Sequence, residues 1–256
     1  MRTLLAFIKK EFIGHLRSGK LFILGGVFLL FGLMNPAVAK MTPWIMELFS
    51  ETLAETGMNI TIAEVSALDS WAQFYKNIPM ALIVFAVLES NIFTKEYGSG
   101  TLVMSLTKGL ERYKVVIAKS IVLVLTWTVG YWLCYAITYF GNLLFWDNSV
   151  AQSLAFSAVC CWLYGLMIVA LTVLFSTLFH SMILVLLGTG GVTFGMSLIS
   201  IIPKVDKVLP TMLMNGTSLV YGMTSAEDYV TAIVVTAVVT VACFVASVPL
   251  FNKKQL

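Results

Sequence analysis

The strongest nucleophiles and metal ligands of this 256-residue chain are two histidines and four cysteines. Neither set is arranged for chemistry. His15 and His180 each stand at the edge of an apolar run, far apart in sequence, with no Ser/His/Asp or Cys/His pattern around them. They read as polar residues of a membrane boundary. Cys134, Cys160, Cys161 and Cys243 lie inside apolar runs without metal-ligand spacing, so they read as small packing residues. Gly188-Thr189-Gly190-Gly191 is also embedded in an apolar run and has no following Lys. It is not a phosphate loop. It reads as a close helix contact or a flexible point. No catalytic or metal site is expected, and an energised function would need a separate ATPase.

What remains able to act is charge beside apolar sequence. Thr94 to Lys119 reads TKEYGSGTLVMSLTKGLERYKVVIAK and holds five of the sixteen Lys and Arg residues. Charge in hydrocarbon is costly, so this block belongs at a membrane face. The segment after Gly100 predicts one short helix ended by Lys108-Gly109. Such a helix between two spans can pass a push to both; it also fits an ordinary loop. Glu89, in Glu89-Ser90-Asn91, closes the preceding apolar run. It reads either as half of an ion pair, with a Lys of the block or of the amino-terminal helix, or as a gate in a substrate path.

These residues are positioned by apolar helices. The chain is 59% hydrophobic and 11% charged, against about 25% charged in soluble domains. Six stretches are long enough to span a bilayer: Leu21–Val38, Phe74–Phe93, Val115–Phe140, Leu154–Phe179, Met182–Ile202 and Val230–Leu250. The fold class is therefore all-α integral membrane, with residues 1–256 as a single domain. Ala37-Val38-Ala39 mimics a signal cleavage site, but the first apolar run is long for a signal and reads as a retained span. With six spans, twelve of the sixteen basic residues fall on one side. Lys40, Lys76, Lys204 and Lys207 fall on the other. That bias places both termini and the 94–114 region in the cytoplasm. Nine of the thirteen acidic residues lie in the outer segments. The net charge of +3 thus serves topology, and no nucleic-acid partner is expected.

Residues 2–19 predict an interfacial helix, with Leu5, Ile8, Phe12 and Leu16 at helical spacing and a break at Ser18-Gly19. Residues 40–72 predict an outer loop carrying Glu47, Glu51, Glu55 and Glu64, with one or two short amphipathic helices and a turn near Gly57. Residues 203–229 form a second outer segment that suits short broken helices dipping back into the membrane. His180-Ser181 is a tight inner turn, which makes spans four and five a hairpin.

On these residues the chain resembles the type-2 ABC transporter permeases. Glu96, Gly100-Thr101-Leu102, Arg112 and Lys119 match that family's signature between spans two and three. Lys10-Glu11 and Leu16-Arg17-Ser18 resemble the family's amino-terminal start. The family's loop proline is absent, and the Gly109 region stands in its place. The resemblance implies the membrane subunit of an ATP-driven exporter in a bacterial plasma membrane. It implies a second permease, identical or not, and cytoplasmic ABC ATPase subunits that carry the ATP and Mg. It assigns coupling to Glu96, Gly100, Thr101, Leu102, Leu106 and Arg112. It turns spans two and five toward the substrate path, where Val84, Leu88, Glu89, Phe194 and Met196 are the candidates. An apolar, Met- and Phe-rich path without a buried charge ladder suits an amphipathic peptide or a lipid-like molecule, as in peptide export and antimicrobial-peptide immunity. The alternatives are a non-transporting sensor or scaffold, and a permease for ions, drugs or surface-polymer precursors. In a bacterial protein, Asn59-Ile60-Thr61 and Asn215-Gly216-Thr217 are chance matches to the glycosylation pattern.

Overall fold

The computed structural model describes residues 2–54, 64–107, 109–203 and 205–254. The expected turn at Gly57, the Asn59-Ile60-Thr61 match, and Glu55, Lys108 and Lys204 lie outside them. Ten α-helices are described: α1 (Arg2–Arg17), α2 (Lys20–Ala54), α3 (Ala67–Glu89), α4 (Thr94–Ser99), α5 (Thr101–Thr107), α6 (Arg112–Leu143), α7 (Leu154–Leu178), α8 (Met182–Ile199), α9 (Gly216–Val220) and α10 (Val230–Lys253). Short 3-10 turns stand at Asn148–Val150, Pro210–Met214 and Ala226–Tyr229. Among the described residues there is no strand. Among the described residues, six helices are long and apolar enough to cross a membrane: α2, α3, α6, α7, α8 and α10. This is a multi-pass helical membrane protein.

Two boundaries differ from the sequence expectation. Residues 40–54 are not a loop; α2 runs through them as a single helix of 35 residues. At 1.5 Å per residue it is about 52 Å long, well beyond a hydrocarbon core of about 30 Å. Pro36 and Pro43 both lie within it. Next, α3 begins at Ala67 rather than near Phe74. Ser66 caps it by accepting from the Leu68 amide at 3.2 Å, while Asp69 accepts from the Ser66 amide at 2.9 Å. This reciprocal cap satisfies amides that a helix start leaves free.

The core is organised around α7. Most of its apolar span is buried, and it packs most extensively on α10. Ring contacts fill the rest: Trp127 lies against Phe28, Phe85 and Tyr131. Gly165 leaves room for the Trp127 ring, since a Cβ there would lie 2.0 Å from it. Polar side chains join helices inside the apolar bundle. Asn77 donates to Asn35 at 2.7 Å, and Asn35 to Thr138 at 2.9 Å, linking α3, α2 and α6. In lipid such bonds hold helices whose apolar surfaces give little preference for one another.

The two faces of the bundle differ. One, here the terminal face, gathers α1, α4, α5, the α7–α8 turn and the end of α10. The other is capped by the 3-10 turns and α9. These pieces do fold back onto the bundle: Leu213, Leu219 and Val220 are buried, and α9 packs on α3 and α7.

Candidate functional site: an ion-paired knuckle and an apolar groove

At the terminal face the chain turns sharply between α3 and α6. Gly100 adopts φ +68° between α4 and α5, and Gly109 adopts φ +88° after α5. Both are conformations that side chains disfavour. The result is a knuckle of two short helices. On α5, Leu102 is buried and Leu106 is half-buried against the core. Val103 (43% exposed) and Met104 (64% exposed) face outward. Thr101 begins α5 and is exposed; its hydroxyl lies 2.9 Å from that of Ser99.

Behind the knuckle lies a cluster of charges. Lys119 of α6 is 1% exposed. Its ammonium donates to Glu11 Oε2 at 2.8 Å and to the Ile92 carbonyl at 2.9 Å. It also lies 3.0 Å from Glu96 Oε2. Lys10 closes the ring, bonding Glu11 at 2.8 Å and Glu96 at 3.0 Å. One helix further, Glu89 is fully buried, 2.7 Å from His15 Nε2 and 3.5 Å from the Lys20 ammonium. Lys20 also bonds Asn91. Three lysines thus face three glutamates, and α1, α2, α3, α4 and α6 share the network. Burial alone would raise the Glu11 carboxyl. Lys119 and Lys10 outweigh it and hold the group below its ordinary value of 4.5. Burial likewise pulls Lys10 down, but Glu11 and Glu96 leave it above 10.5.

The knuckle also grips the ends of two later spans. Tyr97 of α4 donates to the Ser176 carbonyl at 3.0 Å, at the end of α7. Lys254 lies 4.1 Å above the Tyr97 ring and donates to the Phe179 carbonyl at 2.8 Å. Burial lowers that ammonium to about 8. Arg112 does not turn toward α5. It donates to the carbonyls of Phe251, Asn252 and Lys254 at 3.1, 3.1 and 2.7 Å, capping α10. Helix C-termini leave such carbonyls unpaired, and cations complement their partial negative charge.

The helix expected over residues 2–19 is present as α1, broken from α2 at Ser18-Gly19, where Gly19 has φ +75°. Its orientation corrects the reading of His15 as a boundary residue. Phe7, Glu11 and His15, spaced by four, are buried against the bundle, whereas Leu5, Phe12, Ile13 and Leu16 are exposed. Glu11 and His15 thus face inward beside Phe7, while Lys9, Lys10, Arg17 and several apolar side chains stay exposed.

Between α3 and α8, with α7 as floor, lies a groove of about 560 Å³. Leu82, Ile83, Ala86 and Val87 of α3 line one wall; Thr189, Gly190, Thr193 and Phe194 of α8 line the other. Thr211 and Met214 of a 3-10 turn close one end. Of the expected path residues, Phe194 stands in this groove. Val84, Leu88 and Met196 pack against the core instead, and Glu89 sits in the ion network. The glycine run divides as well. Gly188 abuts the Phe175 ring, while Gly190 and Gly191 meet open space. Among the described residues no group of His, Cys, Asp or Glu is placed to hold a metal.

The groove's α3 wall recurs at helical spacing from Pro79 to Val87, a pattern that any buried helix face shares. The ion network pairs positions 74 and 108 apart in sequence, which no local pattern signals.

Fold and site together define a six-span helical membrane protein with an ion-paired knuckle on one face and an apolar groove between its spans. It is similar to an uncharacterized transmembrane protein, YxlG, of Bacillus subtilis (strain 168), at 27% identity over 157 residues. That match covers 59% of this chain and 59% of the relative, so the chain spans about three-fifths of the protein it matches. No protein-family model matches the chain.

Proposed function

We propose that this protein is the membrane-spanning permease subunit of an ATP-driven exporter of the type-2 ABC class. It pairs with a second permease and takes its energy from separate ABC ATPase subunits, which hold the ATP and Mg. The observation that carries the reading is the knuckle. Its outer surface offers exposed Val103 and Met104, while its inner surface is bonded to α1, α6 and the end of α7. A push on α5 therefore reaches several spans through charge-assisted bonds rather than through a slack loop. The Lys and Arg bias of the terminal face supports placing it, with both termini, in the cytoplasm of a bacterial plasma membrane.

In this reading Leu102 seats the helix on its own chain, and Met104 meets the ATPase. The groove between spans two and five is the stretch of the substrate path that this subunit supplies. Its apolar walls favour an amphipathic, hydrophobic cargo over ions. The experiment is affinity purification of the tagged chain from native membranes, with the mass of the intact complex measured. A complex holding two permeases and two ABC ATPases is expected. Met104→Asp would place an unpaired charge in the contact and should remove the ATPases while leaving the permease in the membrane. Recovery without any ATPase from the unmodified chain would refute the proposal.

A further inference from the structure

Buried threonines of the other spans are satisfied within their own helices. Thr126, Thr172, Thr236 and Thr240 each donate to the carbonyl four residues earlier, at 2.6–2.8 Å. Thr189 is the exception. It is 4% exposed, lines the groove, and its hydroxyl has no partner among the described residues. Thr211, in the 3-10 turn that closes the groove, also carries a buried hydroxyl without a partner among the described residues. A buried hydroxyl left without a partner is destabilising. The alternative used elsewhere in these helices, a bond to the preceding turn, is not taken by Thr189.

The groove carries no charge, and its other hydroxyls belong to Thr193, Ser197 and Tyr164. None of its lining residues is Asp, Glu, Lys, Arg or His. The Thr193 hydroxyl is already committed to the Gly190 carbonyl at 2.9 Å. Ser197 likewise donates to the Thr193 carbonyl at 3.1 Å, Tyr164 brings its phenol to the floor, and the remaining walls are aliphatic or aromatic. Ligand sites commonly span about 300–1,000 Å³ and combine apolar walls with a few placed polar groups. A groove of about 560 Å³ with two free hydroxyls and no charge meets that description. It would desolvate a carboxylate, phosphate or ammonium without offering a counter-charge, which excludes charged heads.

We infer that the groove binds a neutral amphiphile: one apolar chain along α3 and α8, with an uncharged alcohol, ester or amide group hydrogen-bonded by Thr189 and Thr211. This rests on, and narrows, the reading of the groove as part of the substrate path. Selectivity among amphiphiles follows from the two hydroxyls, because an apolar surface alone does not distinguish an alcohol from an alkane.

The test uses the purified full chain in nanodiscs, without ATPase, and three photoreactive probes of equal chain length: a diazirine-bearing long-chain alcohol, the matching fatty acid at pH 8, and the matching alkane. The alcohol should label peptides of α3 and α8, and more strongly than the acid. Thr189→Val keeps the shape and removes the hydroxyl. It should lower alcohol labelling about fivefold, the loss of one hydrogen bond, and leave alkane labelling unchanged. Ile83→Trp should lower labelling by alcohol and alkane alike. Equal labelling of Thr189→Val by the alcohol, or stronger labelling by the acid, overturns the inference. So does a groove that the alcohol leaves unlabelled. Because no ATPase is present, each of these failures leaves the docking of an ATPase at Met104 standing, and the loss of that docking would leave the binding result standing.

Discussion

The knuckle and the groove both place polar groups where water is scarce, and they treat them in opposite ways. In the knuckle, Lys119, Lys10 and Lys20 face Glu11, Glu96 and Glu89. In the groove there is no charge, and the Thr189 and Thr211 hydroxyls stand unpaired. Charges paired with one another fix the relative positions of their helices, even though Glu89 Oε1 has no hydrogen-bond partner among the described residues. Polar atoms unsatisfied from within are available to something that enters. The first arrangement suits transmission of force, the second recognition. The two are separated along the fold, but α3 serves both: its end carries Glu89, and its middle lines the groove.

The comparison breaks most visibly at Lys119. Lys119→Met leaves Glu11 and Glu96 buried beside one remaining lysine, Lys10. Breaking a buried pair in this way costs about 3–5 kcal/mol, so the unfolding temperature in detergent should fall by on the order of 10 °C. Adding Glu11→Gln to that variant should recover part of the loss. An unchanged unfolding temperature would mean that the network is not a fastening.

Acid gives a smaller effect with a defined sign. The Glu11 carboxyl lies below its ordinary value in the folded chain. Its stabilisation is therefore fully present above about pH 4.5, the unfolded value, and is lost as the pH falls through the folded one. The stability difference between the unmodified chain and Glu11→Gln should shrink as the pH is lowered below about 4.5. A difference that grew there would contradict the pairing with Lys119.

The smallest expected effect falls in the groove. Thr189→Val removes a hydroxyl that bonds nothing, so stability should be unchanged or slightly higher. A fall comparable to that of Lys119→Met, seen in the same unfolding assay, would show that Thr189 is structural after all.

Much of the frame was legible in the sequence because length and apolarity decide it. Each of the six spans is a long run with few charges, and a bilayer leaves a helix as the natural way to pair its backbone. The helix break at Ser18-Gly19 and the short helix after Gly100 were legible through glycine conformation. The extension of α2 was not. Lys40, Pro43 and Glu47 look like the end of a span, yet the helix continues, and Lys40 finds the rings of Phe145 and Trp146. The start of α3 was written in Ser66 and Asp69, a capping signal easily passed over beside the stronger apolar run. The inward turn of Glu11 and His15 depends on partners in α3 and α6. A helix with two unlike stripes does not say which one faces the protein.

The most direct measurement concerns Met104. A photoreactive phenylalanine at position 104, activated in native membranes, reports what the outer face of the knuckle touches. The account predicts one dominant adduct with an ABC ATPase, absent when the reactive residue is moved to position 5 on the exposed side of α1. Adducts at 104 with lipid alone, or with a protein that does not bind ATP, would contradict it.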